Sequence, residues 1–591
     1  MRKKRDLSAE KYSGKNAYLR LLGYLFSFPF SAALTIVLVV GSNFLALIGP
    51  RLSGQAIDTI RLADGGVSVD WDRLLYYCSL MGIFYLGSAL LSYILSRVII
   101  HFSEKITRKL RKSLFDRILD LPVGFFDQLQ AGDLISRISY DIDTVNTSLA
   151  NDLVQILTSL ITVIGAFSMM LSISWEMLLI FLATLPLSIG YTVWKTKKVR
   201  PLFRRRSAAL GEMSSYTEEM LSGLKTIKAY GREEQFMARY QGHNRETMEA
   251  YYQADYQSAS IGPSVNFINN LSISIISVSG ACFYVLGRQS LGTITSFIQY
   301  GRKFSGPINE FSNIIADIQR LRSAAERVFS LMDEFPETPD EKDAIALSNV
   351  RGEVEFRHVK FRYTPEREII HDLSVKIPAG TTCAIVGPTG AGKTTLVNLL
   401  MRFYDPQHGE ILLDGTPIRK IRRRDLRGAF TMVLQETWLW GGTVAENIAY
   451  GAENPTREEI ENAAKAAGIH RFILSLPQGY DTPITDGGLA ISKGQKQLLT
   501  IARSMLSKAR MLILDEATSN VDTRTEIKIE KAMLKLMENK TSFVIAHRLS
   551  TIQNADLILV VKDGDVVETG NHAELMKKGG FYAELYRSQY Q

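Results

Sequence analysis

Nineteen consecutive residues without a charge, Ser31 to Gly49 (SAALTIVLVVGSNFLALIG), constrain this 591-residue chain more than any other feature. A helix needs roughly 20 apolar residues to cross a bilayer core. Comparable stretches recur at Tyr76 to Ser96, Leu153 to Ser172 and Met177 to Trp194, and Leu271 to Gly287 lies in a fifth that extends back toward Ile261. Leu291 to about Ile315 forms a more polar sixth. The first stretch is too long for the apolar core of a signal peptide, and no small-residue cleavage site follows it, so it is read as retained. Mean hydropathy is only +0.01, because the apolar first half is averaged with residues 349–591, which alternate like a globular α/β domain. That mixture excludes a disordered, fibrous or wholly soluble chain.

Positive charge collects on the cytoplasmic side of spans, and here it is concentrated in three places. Arg2, Lys3, Lys4 and Arg5 precede the first span, Lys105 to Lys112 follow the second, and Lys195 to Arg206 follow the fourth. The short loops at Asp64-Gly65-Gly66, Ser174 and Arg288-Gln289 carry few cations. Six spans with both termini and the soluble half in the cytoplasm satisfy this pattern, so a multi-pass protein of the cell membrane is expected. The net charge of +8 then largely marks topology. Membrane lipids are the expected surroundings, and nucleic acid is not an expected partner. Cys78, Cys282 and Cys383 are too scattered for a disulfide framework or a zinc site. Phe102 to Leu121 and Ser207 to Tyr240 keep helical apolar spacing, which predicts that the spanning helices continue well into the cytoplasm.

Arg302 and Lys303 lie eleven and twelve residues inward from Leu291, roughly 16–18 Å deep at a rise of about 1.5 Å per residue. A cation there is costly unless it has a partner. Two readings are open. Lys303 pairs with Glu310 on the same helical face, or these charges, with Asn266, Asn269 and Asn270, line a water-accessible substrate cavity.

In the soluble half a short apolar strand, Cys383 to Val386, runs into Gly387-Pro388-Thr389-Gly390-Ala391-Gly392-Lys393-Thr394-Thr395, followed by a helical run from Leu396 to Phe403. Glycines that let backbone N–H groups curl around phosphates, a lysine for the β/γ oxygens and a hydroxyl for Mg²⁺ form a nucleotide-binding loop. A second buried strand, Met511 to Leu514, ends in Asp515-Glu516. Asp515 is placed to hold Mg²⁺, and Glu516 to polarise an attacking water. A third strand, Ser542 to Ala546, delivers His547, a residue able to sense a γ-phosphate.

Together these residues resemble the ATPase domain of ABC transporters, and the whole chain resembles a half-transporter of the B-type exporter family. The resemblance implies that Tyr363, in Val359-Lys-Phe-Arg-Tyr363, stacks on adenine, and that Gln435 joins Mg²⁺ to the membrane interface. It makes Asp522 part of the D-loop and His547 the switch histidine, and it matches Gly132 to Arg137 and Gly223 to Gly231 to segments beside the two coupling helices. The implied fold is an all-α transmembrane domain of six helices (residues 1–332), a linker (333–348) around the acidic, proline-punctuated Asp333 to Asp340, and a cytosolic α/β P-loop ATPase (349–591). ATP and Mg²⁺ are the implied cofactors.

The family works as a head-to-tail pair, each ATP lying between one phosphate loop and the other subunit's LSGGQ signature. Here that position reads Ile491-Ser492-Lys493-Gly494-Gln495. Lys493 replaces a glycine that permits close backbone approach to the γ-phosphate, whereas Glu516 and His547 are kept. One subunit of a heterodimer fits this combination: its own loop completes a competent site with the partner's signature, and its altered signature faces the partner's loop. A homodimer in which Lys493 itself contacts phosphate is the alternative. The expected activity is ATP-driven export of amphipathic, drug-like compounds. Lipid or peptide export is the alternative within the architecture, and a nucleotide-gated channel or regulator is disfavoured by the retained Glu516.

Overall fold

The computed structural model describes residues 14–63, 66–435, 437–484, 491–515, 522–545 and 549–590. The chain divides into two compact units. One holds the chain up to Asp120 together with Gln130–Phe335, and the other holds Leu121–Leu129 and Pro336–Gln591.

The first unit is a helical bundle. Its main helices are α1 (Pro29–Ile57), α2 (Trp71–Leu119), α3 (Leu153–Ile173), α4 (Trp175–Ser222), α5 (Glu233–Ala259), α6 (Ile261–Val285) and α7 (Leu291–Met332). Local chemistry fixes their starts. Pro29 opens α1, where its missing N–H costs nothing. Asp70, Ser174 and Ser290 cap α2, α4 and α7 by accepting from Arg73, Met177 and Thr293 backbone N–H groups. At 49 and 48 residues, α2 and α4 run about 70 Å each, against a bilayer core of about 30 Å. Both therefore extend well beyond the apolar layer.

The helical spacing read across Ser207 to Tyr240 does not produce one helix. α4 stops at Ser222, a short helix covers Leu224–Ala229, and α5 starts at Glu233. Gly231 has φ +59°, a left-handed turn that ends the short helix.

Among the described residues, five helices are long and apolar enough to cross a membrane: Pro29–Ile57, Trp71–Leu119, Ala131–Ile173, Trp175–Ser222 and Glu233–Val285. α7 is a continuous helix of 42 residues but lies outside that set. Leu47, Met170, Met177, Phe181, Phe297, Tyr300 and Phe304 form the bundle's centre, while Ile36, Phe44, Leu86 and Leu90 are exposed. A bundle with apolar residues on both its inner and outer faces suits lipid rather than water. Polar groups between helices are paired: Ser88 donates to the Ser42 carbonyl at 2.8 Å, and Thr162 to Asn43 at 3.3 Å.

The second unit is α/β. A four-stranded antiparallel sheet contains β1 (Val354–Thr364), β2 (Arg367–Ile377) and β4 (His408–Leu413). A six-stranded sheet contains β3 (Thr382–Val386), β5 (Phe430–Val433), β6 (Met511–Asp515), β7 (Thr541–Ile545), β8 (Leu557–Lys562) and β9 (Asp565–Gly570) in the order β9-β8-β3-β7-β6-β5. All pairings in it are parallel except β8 with β9. Every residue of β7 and four of the five in β6 are buried, the continuous apolar pattern of strands covered on both faces. Helices α8 (Lys393–Leu400), α9 (Lys493–Leu506) and α10 (Thr523–Met537) follow strands or capped turns.

The acidic segment after Phe335 is fixed to this unit. Glu337 accepts from Arg427 at 2.5 Å, Asp340 accepts from the Arg423 side chain at 3.0 Å, and Ile345 N donates to the Lys420 carbonyl at 2.7 Å.

Candidate functional site

The carboxyl ends of β3, β6 and β7 lie side by side, since Asp515 is in register with Ile545 and Ile545 with Ile385. Ligands of parallel sheets bind at this edge. The turn from β3 into α8 passes through Gly390 at φ +84° and Gly392 at φ +105°, a backbone that side-chain-bearing residues rarely adopt. Gly387 is required for another reason: a Cβ there would stand 2.1 Å from the Val561 carbonyl oxygen. Gly387→Ala is therefore expected to weaken ATP binding about fivefold or more, from an overpacking cost of ~1–3 kcal/mol. Titration with a fluorescent ATP analogue measures it.

A cavity of about 560 Å³ opens against this turn, and Tyr363, Gly390, Lys393, Thr394, Gln435 and Asp515 all line it. Thr389, Gly392 and Thr395 complete the loop side. Lys393 Nζ donates to the Gly387 and Pro388 carbonyls at 2.6 and 3.0 Å. Burial pushes its pKa below the usual lysine range, against an opposing pull from the Asp515 carboxylate. Ala391 points instead into the core beneath the loop.

Tyr363 is held by T-shaped ring contacts with Phe361 at 4.8 Å and Tyr404 at 4.9 Å. Its hydroxyl donates to Thr395 Oγ1 at 3.2 Å and accepts from Asn398, and the residue is 42% exposed, which leaves room for a base to stack.

The cavity also takes in Arg367, Ile369 and Ile545, which the sequence did not single out. Arg367 pairs with Thr364 where β1 turns into β2. A strand, a short polar turn and a second strand after Tyr363 are the available signal.

Tyr404 has a second contact. Its hydroxyl donates to Asp127 at 2.5 Å, and burial with that hydrogen bond pushes its pKa well above the usual tyrosine value. A Cβ on Gly124 would lie 2.7 Å from the same ring. Gly124 and Asp127 belong to the Leu121–Leu129 segment, whose short helix Val123–Phe126 folds with this unit, although both its ends continue into the helical unit.

Ser492 caps α9 by a reciprocal pair with Gln495, accepting from Gln495 N at 3.3 Å and donating its own N–H to the Gln495 side chain at 2.9 Å. Lys493 is the first residue of α9 and is exposed, and Gly494 is buried. None of Ser492 to Gln495 lines the cavity of this chain's own phosphate loop. Asp522 caps α10, accepting from Thr525 N at 2.9 Å, and those hydrogen bonds hold its carboxyl below the usual range. Glu516 and His547, which follow the ends of β6 and β7, lie outside the described residues.

The polar candidates of the spans are not gathered into one pocket. Asn266, Asn270 and Arg302 are exposed, and Asn269 accepts from Ser188 Oγ at 3.2 Å. A cavity of about 430 Å³ in this unit is lined by Tyr191, Pro263, Ser264, Phe267 and Ile268, and by none of Asn266, Asn269, Asn270, Arg302 and Lys303. Lys303 donates to the Ala46 backbone carbonyl at 2.8 Å, and the Glu310 side chain lies outside the described residues.

Comparison with known proteins gives matches along most of the chain. Residues 32–308 match the family model described as the ABC transporter transmembrane region, and residues 370–519 match the one described as ABC transporter. The uncharacterized ABC transporter ATP-binding protein YfiC of Bacillus subtilis is 40% identical over 98% of this chain and 95% of its own length. A protein of Mycobacterium bovis named fatty acid ABC transporter ATP-binding/permease protein is 43% identical over 88% of this chain and 83% of its own. Among solved structures, a bacterial Atm1-family ABC exporter with ATP bound superposes with a TM-score of 0.77 at 29% identity, covering 95% of this chain and 99% of that one.

Proposed function

The chain belongs to the ABC transporter family, in the exporter arrangement of a helical membrane domain fused to an ATPase domain that couples ATP hydrolysis to transport, and on that basis we propose that it exports amphipathic compounds as one subunit of a heterodimer. Exporters of this family act as dimers. The observation that carries the unequal pairing is Lys493 at the start of α9. The partial positive charge of a helix N-terminus there suits a phosphate, and a lysine side chain takes the space in which backbone would approach it. Six spans are the proposed topology, with α7 as the sixth: capped at Ser290, it is long enough to cross, and its Lys303 is half-buried against the α1 backbone rather than left facing lipid.

In the competent site, the Tyr363 ring takes the adenine. Lys393 exchanges the carbonyls of Gly387 and Pro388 for phosphate oxygens. Thr394, Gln435 and Asp515 offer a hydroxyl, an amide and a carboxylate within one cavity, an all-oxygen donor set that fits Mg²⁺. Bound there, the ion would neutralise charge developing on the phosphates. Glu516 polarises the attacking water, His547 senses the γ-phosphate, and Asp522 with the partner's signature closes the site.

Cargo follows from the surroundings. Apolar helices carrying a few polar groups, Asn266 and Asn270 among them, suit amphipathic molecules, and the relative named for fatty acids supports a lipid-like cargo. Purified from its native membrane, the chain is expected to bring down a second, different half-transporter in a one-to-one complex that accumulates amphipathic dyes or fatty acids in inverted vesicles. Failure to copurify any second half-transporter would sink the pairing.

Leu121–Leu129 is continuous at both ends with the membrane unit yet folds with the ATPase, so it is a mechanical link. Asp127→Ala removes the acceptor of the Tyr404 hydroxyl. The expected result is basal ATPase retained and stimulation by transported substrate lost, read in one titration of substrate against phosphate release.

A further inference from the structure

Pro50 lies in the interior of α1. Having no N–H, it cannot donate to the carbonyl of Ala46 one turn earlier, so that acceptor lacks its main-chain partner within an apolar layer that offers no water. Lys303 Nζ, on α7, donates to that same Ala46 oxygen at 2.8 Å. Two groups that are each costly inside a membrane, a carbonyl without a donor and a cation without an acceptor, thus satisfy one another.

The contact is the end of a row. Tyr300, fully buried, donates to the Leu47 carbonyl at 2.5 Å, and Ser296, 4% exposed, donates to the Pro50 carbonyl at 2.9 Å. Gln299 donates to Ser53 Oγ at 3.1 Å, and Gly292 N to Asp58 Oδ1 at 2.8 Å. Residues 292, 296, 299, 300 and 303 share one helical face. The backbones nearly touch at its far end, since a Cβ on Gly54 would stand 2.3 Å from the Gly292 oxygen.

We infer that Lys303 is a positioning residue of the transport cycle: it supplies the donor that Pro50 withholds from Ala46, and so fixes α1 against α7 instead of meeting cargo. This rests on the chain being a membrane transporter, and the melting temperature tests it whatever the partner or cargo.

The test uses the purified exporter in lipid nanodiscs, as Lys303→Met, Lys303→Gln, Pro50→Ala and the Pro50→Ala/Lys303→Met double variant. Melting temperature is read alongside KM and maximal rate for ATPase stimulated by an amphipathic dye. Lys303→Met is expected to lower the melting temperature and cut the stimulated maximal rate about fivefold or more, as loss of one buried hydrogen bond implies, at unchanged KM. Lys303→Gln, whose amide still donates, should retain most of both. Pro50→Ala returns an N–H to Ala46, so adding Lys303→Met to it should change little. Equal losses from Lys303→Met in both proline backgrounds would overturn the inference. So would a raised KM at unchanged melting temperature, which is the behaviour of a substrate ligand. If Pro50→Ala itself damages the protein, the glutamine and methionine variants decide, and equal losses from the two would refute the role.

Discussion

Lys393→Ala is expected to lower ATP turnover by a factor on the order of 10²–10³, the usual effect of deleting a fixed electrostatic donor from a transition state, and to stop transport with it. The ammonium already sits at the base of the phosphate loop, spending its hydrogen bonds on the Gly387 and Pro388 carbonyls. Burial depresses its pKa, and the Asp515 carboxylate works against that effect. Arriving phosphate oxygens bring more negative charge to the same spot, so the nucleotide strengthens the charged form. Alanine leaves the loop glycines in place, so the backbone cradle persists while the charge is lost. Phosphate release from the reconstituted exporter measures the rate, and a fluorescent ATP analogue measures binding separately. Unchanged turnover would remove Lys393 from the chemistry.

The second large effect concerns the signature. In a dimer of this chain with itself, both sites would combine an intact phosphate loop with an altered signature. Lys493→Gly in the isolated chain should then create two competent sites at once. ATPase is expected to rise on the order of tenfold or more, since donors that approach the γ-phosphate directly carry effects of that size. The capping pair of Ser492 and Gln495 is untouched by the change, so α9 should begin at the same place. Loss of the new activity on adding Glu516→Gln would tie it to this chain's own Glu516. If Lys493→Gly leaves the rate unchanged while the wild-type chain already turns over fast, the lysine is a harmless variant.

What the sequence revealed divides by how local the determinants are. The strand, glycine-rich turn and helix were readable because they are contiguous: Thr382–Val386 and Lys393–Leu400 bracket the turn closely. The fused helical and α/β architecture was equally plain from hydropathy. Arg367 and Ile369 were not, because they reach the cavity through the pairing of β2 with β1. The break between Ser222 and Glu233 was hidden by apolar spacing that continues through it, where the left-handed turn at Gly231 outweighs periodicity. Lys303 shows the same limit most sharply. Its acceptor is a carbonyl on α1 made available by a proline four residues further on. Sequence spacing along α7 offered only Glu310 or cargo as partners, since a carbonyl on a distant helix leaves no trace in the side-chain pattern of α7 itself.

The pairing of two unequal subunits is tested most directly by the ATPase rate of the purified wild-type chain, without any partner, in nanodiscs. A rate near background is expected, rising when a copurifying second half-transporter is added and disappearing again with Glu516→Gln in this chain. Vigorous turnover by the chain alone, abolished by Glu516→Gln, would show that Lys493 supports hydrolysis and that two copies of this chain make the complete exporter.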